Sequence, residues 1–205
     1  MKAKKSSAAR RSSASSNEDT PLLSQLYERY KRPIYTYVYR LLGNLEDADD
    51  LTQEVFIRAC STWENLHDRD NLSAWLYRIA TNLCVDHLRR RKRITWLPLL
   101  RKNQHSERLG ESVEEEALYL PSSDGDIPGV AERELIRLAL AQLQEEYAVV
   151  LVLSAAQGVP YQEIATIVGI SPNAAATRIS RAKKMFIEQY QRLAQEGVGR
   201  QESIQ

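Results

Sequence analysis

The chain has 205 residues, of which 43% are hydrophobic and 27% charged, so it is long enough to fold into one or two small domains. Its formal net charge is only +1, and this average gives no indication of a nucleic-acid partner. The distribution of charge is more informative, because basic clusters at 89–93 and 178–184 lie far apart in the sequence. Two such clusters are typical of two contact points on one polyanion.

Several classes of protein are disfavoured by the sequence. No apolar run approaches the ~20 residues that a membrane-spanning helix needs, and the basic N-terminus lacks the apolar segment of a signal peptide. We therefore expect a cytoplasmic protein without membrane insertion. Cys60 and Cys84 have no CxxC spacing and are predicted to be buried, reduced thiols. Without a recognisable nucleophile–base pair, phosphate loop or metal-ligand cluster, we predict no enzymatic activity, no cofactor and no metal.

The chain begins with a basic segment. Residues 1–19 are rich in Ser, Ala, Lys and Arg and poor in apolar residues, which predicts a disordered tail. Such a tail is either a dispensable solvated extension or a segment that adds a weak electrostatic attraction to DNA. Thr20 and Pro21 predict the start of a helix, as N-cap and first helical residue. This helix is expected to reach Gly43, with Pro33 breaking or kinking it.

The second predicted helix runs from Asp47 to Trp63 and has two distinct faces. Its apolar face comprises Ala48, Leu51, Val55, Ala59 and Trp63. Its other face comprises Asp50, Gln53, Glu54 and Ile57. Helical carboxylate metal sites usually add a Glu-x-x-His pattern, which this acidic helix lacks. The residues alone leave two interpretations open, a surface that docks on a basic protein partner or a solvated face.

The third predicted helix, 71–93, begins with Ser73 as N-cap and ends in five consecutive basic residues. The face predicted to pack on a core comprises Trp75, Leu76, Ile79, Ala80 and Leu83. The opposite face is predicted to comprise Arg78, Thr81, Val85 and Arg89. Basic residues suit the negative C-terminal end of a helix, and this run favours an acidic, extended partner. Asp86 is expected to continue the apolar face and to have a structural role, pairing with Arg89 or Arg90 at helical spacing.

Helical periodicity fails between 94 and 129, a segment with acidic, Pro and Gly residues that predicts a linker. Four helices follow in the prediction, over 132–143, 146–156, 160–168 and 172–194. Residues 195–205 are expected to fray. No strand signal carries weight, so the predicted fold is all-α, with two small helical domains joined by a flexible linker.

Residues 160–185 have the layout of a helix-turn-helix, with Gly169 and the N-cap Ser171 in the turn. Ala165 is small, as two closely crossing helices require. The inward face of the second helix is predicted to comprise Ala175, Ile179, Ala182 and Phe186. Its outward face is predicted to comprise Asn173, Ala174, Thr177, Arg178, Arg181 and Lys184. A basic outward face suits the DNA major groove, and a helical hairpin with a solvated basic face is the alternative.

The residues on the outward face of this helix fall into two groups with different chemistry. Alanine cannot hydrogen-bond a base edge, so Asn173 and Thr177 are the better candidates for base readout. Arg178, Arg181 and Lys184 suit phosphates, which position a protein without reading sequence.

Two stretches carry a family resemblance. The strings DDLTQEVF and WLYRIATNLCVDHLRR resemble region 2 of the extracytoplasmic-function sigma factors of bacterial RNA polymerase. The stretch LQEEYAVVLVLSAAQGVPYQEIATIVGISPNAAATRISRAKKMF is similar to their region 4. The resemblance implies the following organisation: a tail at 1–19, region 2 at 20–93, a linker at 94–129, region 4 at 130–194 and a tail at 195–205.

The resemblance also implies a function, promoter recognition and opening as a dissociable subunit of RNA polymerase. Asp50, Gln53 and Glu54 would dock on the clamp coiled coil of the β′ subunit. The third helix and the loop 64–73 would recognise and open the minus-ten promoter element and hold a base flipped from the non-template strand. The residues expected to contact this element are Arg78, Asn82, Arg89, Arg90 and Arg91.

Region 4 would recognise the minus-thirty-five element and touch the β flap of the polymerase. The residues expected at this element are Asn173, Thr177, Arg178, Arg181 and Lys184. The resemblance places the linker toward the RNA exit path. Many members of the family are restrained by an anti-sigma factor, so such a protein is a further expected partner.

Region 4 departs from the family pattern at Gln144, Ala148, Pro160 and 173–176. We therefore expect altered or weaker readout of the upstream element, depending more on phosphates and DNA shape. Two rival functions remain, a stand-alone helix-turn-helix regulator and a decoy that occupies polymerase without promoter DNA.

Overall fold

The structure is a computed structural model that describes residues 15–66, 71–95 and 129–202. Within these ranges the chain is helical, and no strand occurs. The helices are α1 (Ser15–Leu42), α2 (Leu45–Thr62), α3 (Leu72–Thr95), α4 (Val130–Ala141), α5 (Glu145–Leu151), α6 (Tyr161–Val168) and α7 (Pro172–Glu202). A 3₁₀ turn, Trp63–Asn65, follows α2, and a π-helical turn, Val152–Ala156, continues α5. The all-α prediction is confirmed, while most of the predicted linker lies outside the described residues.

Helices α1, α2 and α3 form the first bundle, because each has one apolar face that must be buried against another helix. The centre of this bundle is fully buried and contains Ile34, Tyr37, Val38, Val55 and Leu76. The ring of Tyr37 meets that of Tyr77 edge to face, with centroids 5.3 Å apart. This packing fixes α3 against α1 and leaves one side of α3 outside the first bundle.

The predicted start of α1 is wrong, and the helix is not broken at Pro33. The helix begins at Ser15, so residues 15–19 of the predicted tail are helical and Thr20 is not an N-cap. The helix also continues through Pro33 without a break. Proline removes one backbone hydrogen bond, but Ile34 and Tyr37 beside it are fully buried in the bundle. Tertiary packing therefore outweighs the local preference, and α1 ends at Leu42, with Gly43 directly after it as the predicted stop.

Four further expectations, about the cap of α3 and the burial of residues in α2 and α3, are wrong. The amide N–H of Ala74 donates to Oδ1 of Asn71 at 3.1 Å, so Asn71 caps α3 and Ser73 lies inside the helix. Thr81 is buried rather than exposed. Cys60 is exposed, whereas Cys84 is buried as predicted. Asp86 is exposed and does not continue the apolar face.

Helices α4 to α7 form the second bundle, in which α7 packs against α4, α5 and α6. The predicted helix-turn-helix is confirmed in α6 and α7. Gly169 ends α6 with a left-handed backbone, φ +72°, a conformation that glycine adopts without steric cost. Ser171 Oγ accepts from the amide of Ala174 at 3.3 Å. The small residues Ala165 and Ala175 are buried where the two helices cross.

The two bundles lie against each other. Helix α3 runs along α6, and α1 contacts both α4 and the π-helical turn. One hydrophobic cluster contains buried residues of both bundles. Gly43, with φ +68°, lies beneath Arg137 of α4, whose Nη1 would be 3.2 Å from an added Cβ. The end of α1 thus meets the second bundle at a residue whose left-handed backbone favours glycine.

Candidate nucleic-acid interface and acidic face

The acidic face of α2 is a regular and exposed surface. Asp50 and Gln53 are exposed, and Glu54 follows them on the same side of the helix at 41% side-chain exposure. Gln53 Nε2 donates to Asp49 Oδ2 at 3.3 Å, and Arg58 Nε donates to Glu54 Oε1 at 2.7 Å. The helix itself thus orients two of the three predicted side chains. The structure brings the three together on a surface suited to a basic partner.

Ile57 lies one turn beyond Gln53 and Glu54 and is 62% exposed. An exposed isoleucine at the edge of an acidic surface adds an apolar contact to the charged ones. Exposed apolar and charged groups side by side are typical of protein–protein interfaces. This part of α2 therefore has the chemistry of a docking surface more than that of a nucleic-acid interface.

The exposed side of α3 carries the predicted polar and basic residues. Asn82 is exposed midway along the helix, and its amide can both donate to and accept from a base edge. Arg89, Arg90 and Arg91 are exposed in the following turns. Thr81, expected on this face, instead points inward and lies 2.7 Å from the Tyr37 hydroxyl. The exposed face of α3 therefore lacks Thr81 and is narrower than predicted, with the Asn82 amide followed by the basic residues from Arg89.

Two basic residues of α3 contact the second bundle. Arg78 Nη2 donates to the backbone carbonyl of Thr166 in α6. Lys92 Nζ lies 2.7 Å from Glu145 Oε1 at the start of α5. The hydrogen bond from Lys92 lowers the pKa of the Glu145 carboxyl below its ordinary value. The predicted nucleic-acid face of α3 is thus partly engaged by the other bundle.

The outward residues of α7 line a shallow cavity of about 440 Å³ together with α5. Its lining includes four of the five predicted readout and phosphate residues, namely Asn173, Thr177, Arg178 and Arg181. Lys184 is exposed further along the helix. The Thr177 hydroxyl donates to the backbone carbonyl of Asn173 at 2.9 Å, so its proton is engaged and its oxygen is left as an acceptor. The arrangement suits contact with an extended polar ligand.

Two acidic residues of α5 that were not predicted from the sequence lie against basic residues of α3 and α7. Glu146 Oε2 lies 3.4 Å from Arg178 Nη2, and Glu145 pairs with Lys92. In the sequence, two glutamates in the first turn of a helix indicate a favourable interaction with the helix dipole. Their partners lie in other helices, so the sequence alone offered no signal for the pairing.

Neither a metal site nor a membrane span emerges from the described ranges. The part of the chain that the structure describes contains no group of three or more His, Cys, Asp or Glu residues placed to hold a metal ion. No helix among the described residues is long and apolar enough to cross a membrane.

Both bundles match known sequence families. Residues 26–94 match the family described as Sigma-70 region 2, and residues 133–186 match the family described as Sigma-70, region 4. The first match covers α1 from Leu26 onward, all of α2 and nearly all of α3, with their acidic and basic faces. The second spans the helix-turn-helix.

Individual relatives agree with these matches. The chain is 32% identical over 179 residues to the ECF RNA polymerase sigma factor SigW of Bacillus subtilis, a match that covers 83% of this chain and 90% of SigW. It is 32% identical over 166 residues to the ECF RNA polymerase sigma factor SigE of Mycolicibacterium smegmatis, covering 81% of this chain and 60% of SigE.

Solved structures show the same fold. The sigma factor RpoE of Bartonella quintana, solved with the anti-sigma factor NepR, has a TM-score of 0.61 at 20% identity, covering 84% of this chain and 98% of RpoE. CnrH, solved with the cytosolic domain of CnrY, has a TM-score of 0.56 at 22% identity, covering 82% of this chain and 86% of CnrH.

Proposed function

The chain belongs to the extracytoplasmic-function RNA polymerase sigma factors of the sigma-70 family, and from that membership we propose which of its surfaces carries out each step of initiation. As a sigma factor it binds core RNA polymerase, recognises promoter DNA and helps to open it for transcription initiation. The observation that carries this function is the presence of both sigma regions, in order, on one chain.

The acidic face of α2 is the proposed docking surface for core polymerase, on the clamp coiled coil of the β′ subunit. Asp50, Gln53 and Glu54 share one exposed face, and Ile57 adds an apolar contact beside them. Opposite charges across an interface steer association and fix its register. The family resemblance identifies the partner, and the exposure of these side chains on one face of α2 supports this assignment.

The exposed side of α3 is the proposed minus-ten surface. Asn82 is the candidate for reading a base, because its amide is exposed and has both donors and an acceptor. Arg89, Arg90 and Arg91 would hold phosphates on either side of the melted segment. Arg78 would join them once its bond to the Thr166 carbonyl is released. Of the loop at 64–73, proposed to capture a flipped base, 67–70 lie outside the described residues.

The outward side of α7 is the proposed minus-thirty-five surface, and the β flap is the proposed polymerase contact of this domain. Asn173 and Thr177 lie at the N-terminal end of α7, the part of a recognition helix that meets base edges. Arg178, Arg181 and Lys184 extend along the helix and suit phosphates. Ala174 and Ala176 are exposed between Asn173 and Thr177, and their side chains cannot hydrogen-bond a base edge. We therefore expect this helix to read few base pairs.

An anti-sigma factor is a further proposed partner, and the RpoE relative was solved with one. The protein would act by binding alone. Holding an unstacked base stabilises the melted strand, and no bond is made or broken by the protein. The cytoplasm is the proposed location, because bacterial RNA polymerase and its promoters are there.

A reconstituted transcription assay tests the assignment. Core polymerase and this protein are incubated with a library of duplexes that vary at both promoter elements, and the transcripts are sequenced. We expect initiation downstream of one defined pair of motifs. Transcription without a preferred motif, or silence despite core binding, would contradict the assignment, and silence would favour a decoy. Specific duplex binding without polymerase would favour a stand-alone regulator.

A further inference from the structure

The cavity of about 440 Å³ beside α7 has one wall that does not belong to the recognition helix. Glu146 and Tyr147 form this wall, whereas the other lining residues all belong to α7. Helix α5 begins at Glu145, so both wall residues lie in its first turn. A ligand in this cavity would therefore touch two helices at once.

The side chains around this cavity suit an anion. Arg178 and Arg181 bring two positive charges, and Glu146 is the one acidic group among the described residues that line the cavity. Tyr147 adds a neutral hydroxyl donor. Arginine side chains and hydroxyl groups are common protein partners of a DNA phosphate. The donor set of the cavity therefore matches a phosphate of the DNA backbone.

An intramolecular contact already places an anionic oxygen beside one of these arginines. Glu146 Oε2 lies 3.4 Å from Arg178 Nη2, where a phosphate oxygen could bind instead. The side chain of Glu146 is 48% exposed and that of Arg178 only 28% exposed. The carboxylate can therefore turn out into solvent while the guanidinium stays beside the cavity, since an exposed ion pair of this kind is weak.

Tyr147 is held in place by the protein itself. It is half-buried and packs against the hydrophobic core. The next two residues, Ala148 and Val149, are buried and anchor the first turn of α5. A side chain that is already ordered loses little further freedom when a ligand binds. The Tyr147 hydroxyl is therefore a preorganised donor at the wall of the cavity.

Ala174 keeps the cavity open. It is exposed, lines the cavity and precedes Arg178 by one helical turn, so both residues lie on the same side of α7. A larger side chain at this position would fill part of the space between α5 and α7. The alanine that cannot read a base edge thus leaves room beside Tyr147 for a group from outside the protein.

We propose that this cavity is a phosphate clamp, in which Tyr147 of α5 and Arg178 and Arg181 of α7 hold one backbone phosphate of the minus-thirty-five duplex. The inference rests on the function proposed for α7. It adds a DNA contact from outside the recognition helix and a role for the small side chain of Ala174. Phosphate contacts fix the orientation of a protein on the duplex without reading its sequence. The clamp fixes the rotation of α7 in the groove.

Three variants of the full chain test the clamp. Tyr147→Phe removes only the hydroxyl and keeps the packed ring. Ala174→Leu fills the cavity with a residue that forms helices well. Tyr190→Phe is the control, because it makes the same chemical change at a half-buried tyrosine further along α7 that does not line the cavity. Urea unfolding checks that each variant keeps its stability.

The readout is affinity at low salt for a duplex that the unaltered chain selects from a random pool, so no polymerase is needed. We expect Tyr147→Phe to bind roughly 5- to 20-fold more weakly than Tyr190→Phe. The salt dependence should stay the same, because a hydroxyl releases no counterion. The base preference should also be unchanged.

A second set of duplexes locates the contact on the DNA. Each phosphate in turn is replaced by a neutral methylphosphonate. At one position this replacement should weaken binding of the unaltered chain and of Tyr190→Phe most. Tyr147→Phe should lose less there, because its hydroxyl contact is already gone. Ala174→Leu should lose least, because its cavity is filled.

Equal affinity of Tyr147→Phe and Tyr190→Phe, or equal losses at every phosphate in the two variants, would overturn the clamp. A changed base preference in Tyr147→Phe, or selection of no duplex by the unaltered chain, would also overturn it. These results would leave the sigma function intact, because initiation is measured separately with core polymerase. Conversely, the expected loss at one phosphate without any initiation would refute the sigma function and retain the DNA contact.

Discussion

The hydroxyl of Tyr37 on α1 lies 2.7 Å from Thr81 Oγ1 on α3, inside the first bundle. Both residues are buried, and either oxygen can be the donor. Burial raises the pKa of the Tyr37 hydroxyl well above its ordinary value. This bond fixes the rotation of α3 about its own axis, because Thr81 can reach α1 in only one orientation. The exposure of Asn82, the next residue, follows from the burial of Thr81.

Replacing Thr81 by valine should destabilise the first bundle. The Thr81→Val variant leaves the Tyr37 hydroxyl buried without a partner, which costs about 1–3 kcal/mol. The double variant Thr81→Val with Tyr37→Phe removes both polar groups and should recover most of this loss. Urea unfolding of the four proteins of the cycle measures the coupling. A double variant less stable than either single variant would show that packing, not the hydrogen bond, joins the residues.

Charge reversal on α2 should weaken core polymerase binding. With Asp50→Lys and Glu54→Lys, the face would repel a basic partner, and affinity should fall by at least roughly 10-fold. Fluorescence anisotropy with labelled protein and core polymerase measures the change. Glu132→Lys with Glu188→Lys alters the net charge equally on exposed residues of α4 and α7 and serves as control. Equal affinity of the two double variants would remove Asp50 and Glu54 from the docking surface.

The basic run and Asn82 should differ in their effect on DNA recognition. Arg89→Ala with Arg90→Ala should lower affinity about equally for all minus-ten sequences and reduce the salt dependence, by about 0.7 in the logarithmic slope per lost contact to a single strand. Asn82→Ala should lower discrimination at one base by about 1–3 kcal/mol and leave the salt slope unchanged. Competition binding of melted promoter templates at several salt concentrations separates the two effects. A changed base preference in the arginine variant would reverse the assignment.

Glu146 should restrain duplex binding by the helix-turn-helix. Its carboxylate lies 3.4 Å from Arg178 on the proposed phosphate-binding side of α7. In Glu146→Gln, Arg178 would be released and a negative charge near the DNA removed, so duplex affinity should rise by about 2- to 5-fold. Glu188→Gln changes the net charge equally further along α7 and is the matched control. Binding of duplexes that contain the selected minus-thirty-five motif measures both variants, and an equal rise in both would indicate charge alone.

Local features that depend on neighbouring residues were predictable from the sequence. Gly169 and Ser171 mark the turn of the helix-turn-helix, because a left-handed backbone and an N-cap each require particular residue types. The exposure of Asp50 and Gln53 followed from helical periodicity. These predictions needed no knowledge of which helices pack together.

Features that depend on tertiary packing were not predictable from the sequence. Thr81 is polar, and only the position of Tyr37 makes its burial favourable. Pro33 is tolerated because its neighbours are held in the bundle core. Lys92 and Glu145 lie on either side of the predicted linker, so their pairing depends on how the two domains meet.

Acidification should open the interface between the two bundles through Glu145, which pairs with Lys92 across it. The hydrogen bond from Lys92 and the nearby positive charge of Arg89 lower the pKa of this carboxyl below its ordinary value of 4.5, and this lowering is lost when the bundles separate. The pair therefore contributes fully above pH 4.5, and its contribution is lost as the pH falls through the lowered pKa. The distance between spin labels attached to the exposed Cys60 on α2 and to Lys183→Cys on α7 should increase over that range in the otherwise unaltered protein. In the same labelled protein carrying Glu145→Gln this transition should be absent, with circular dichroism showing that the helices persist, whereas a transition identical in both proteins would assign the opening to another group.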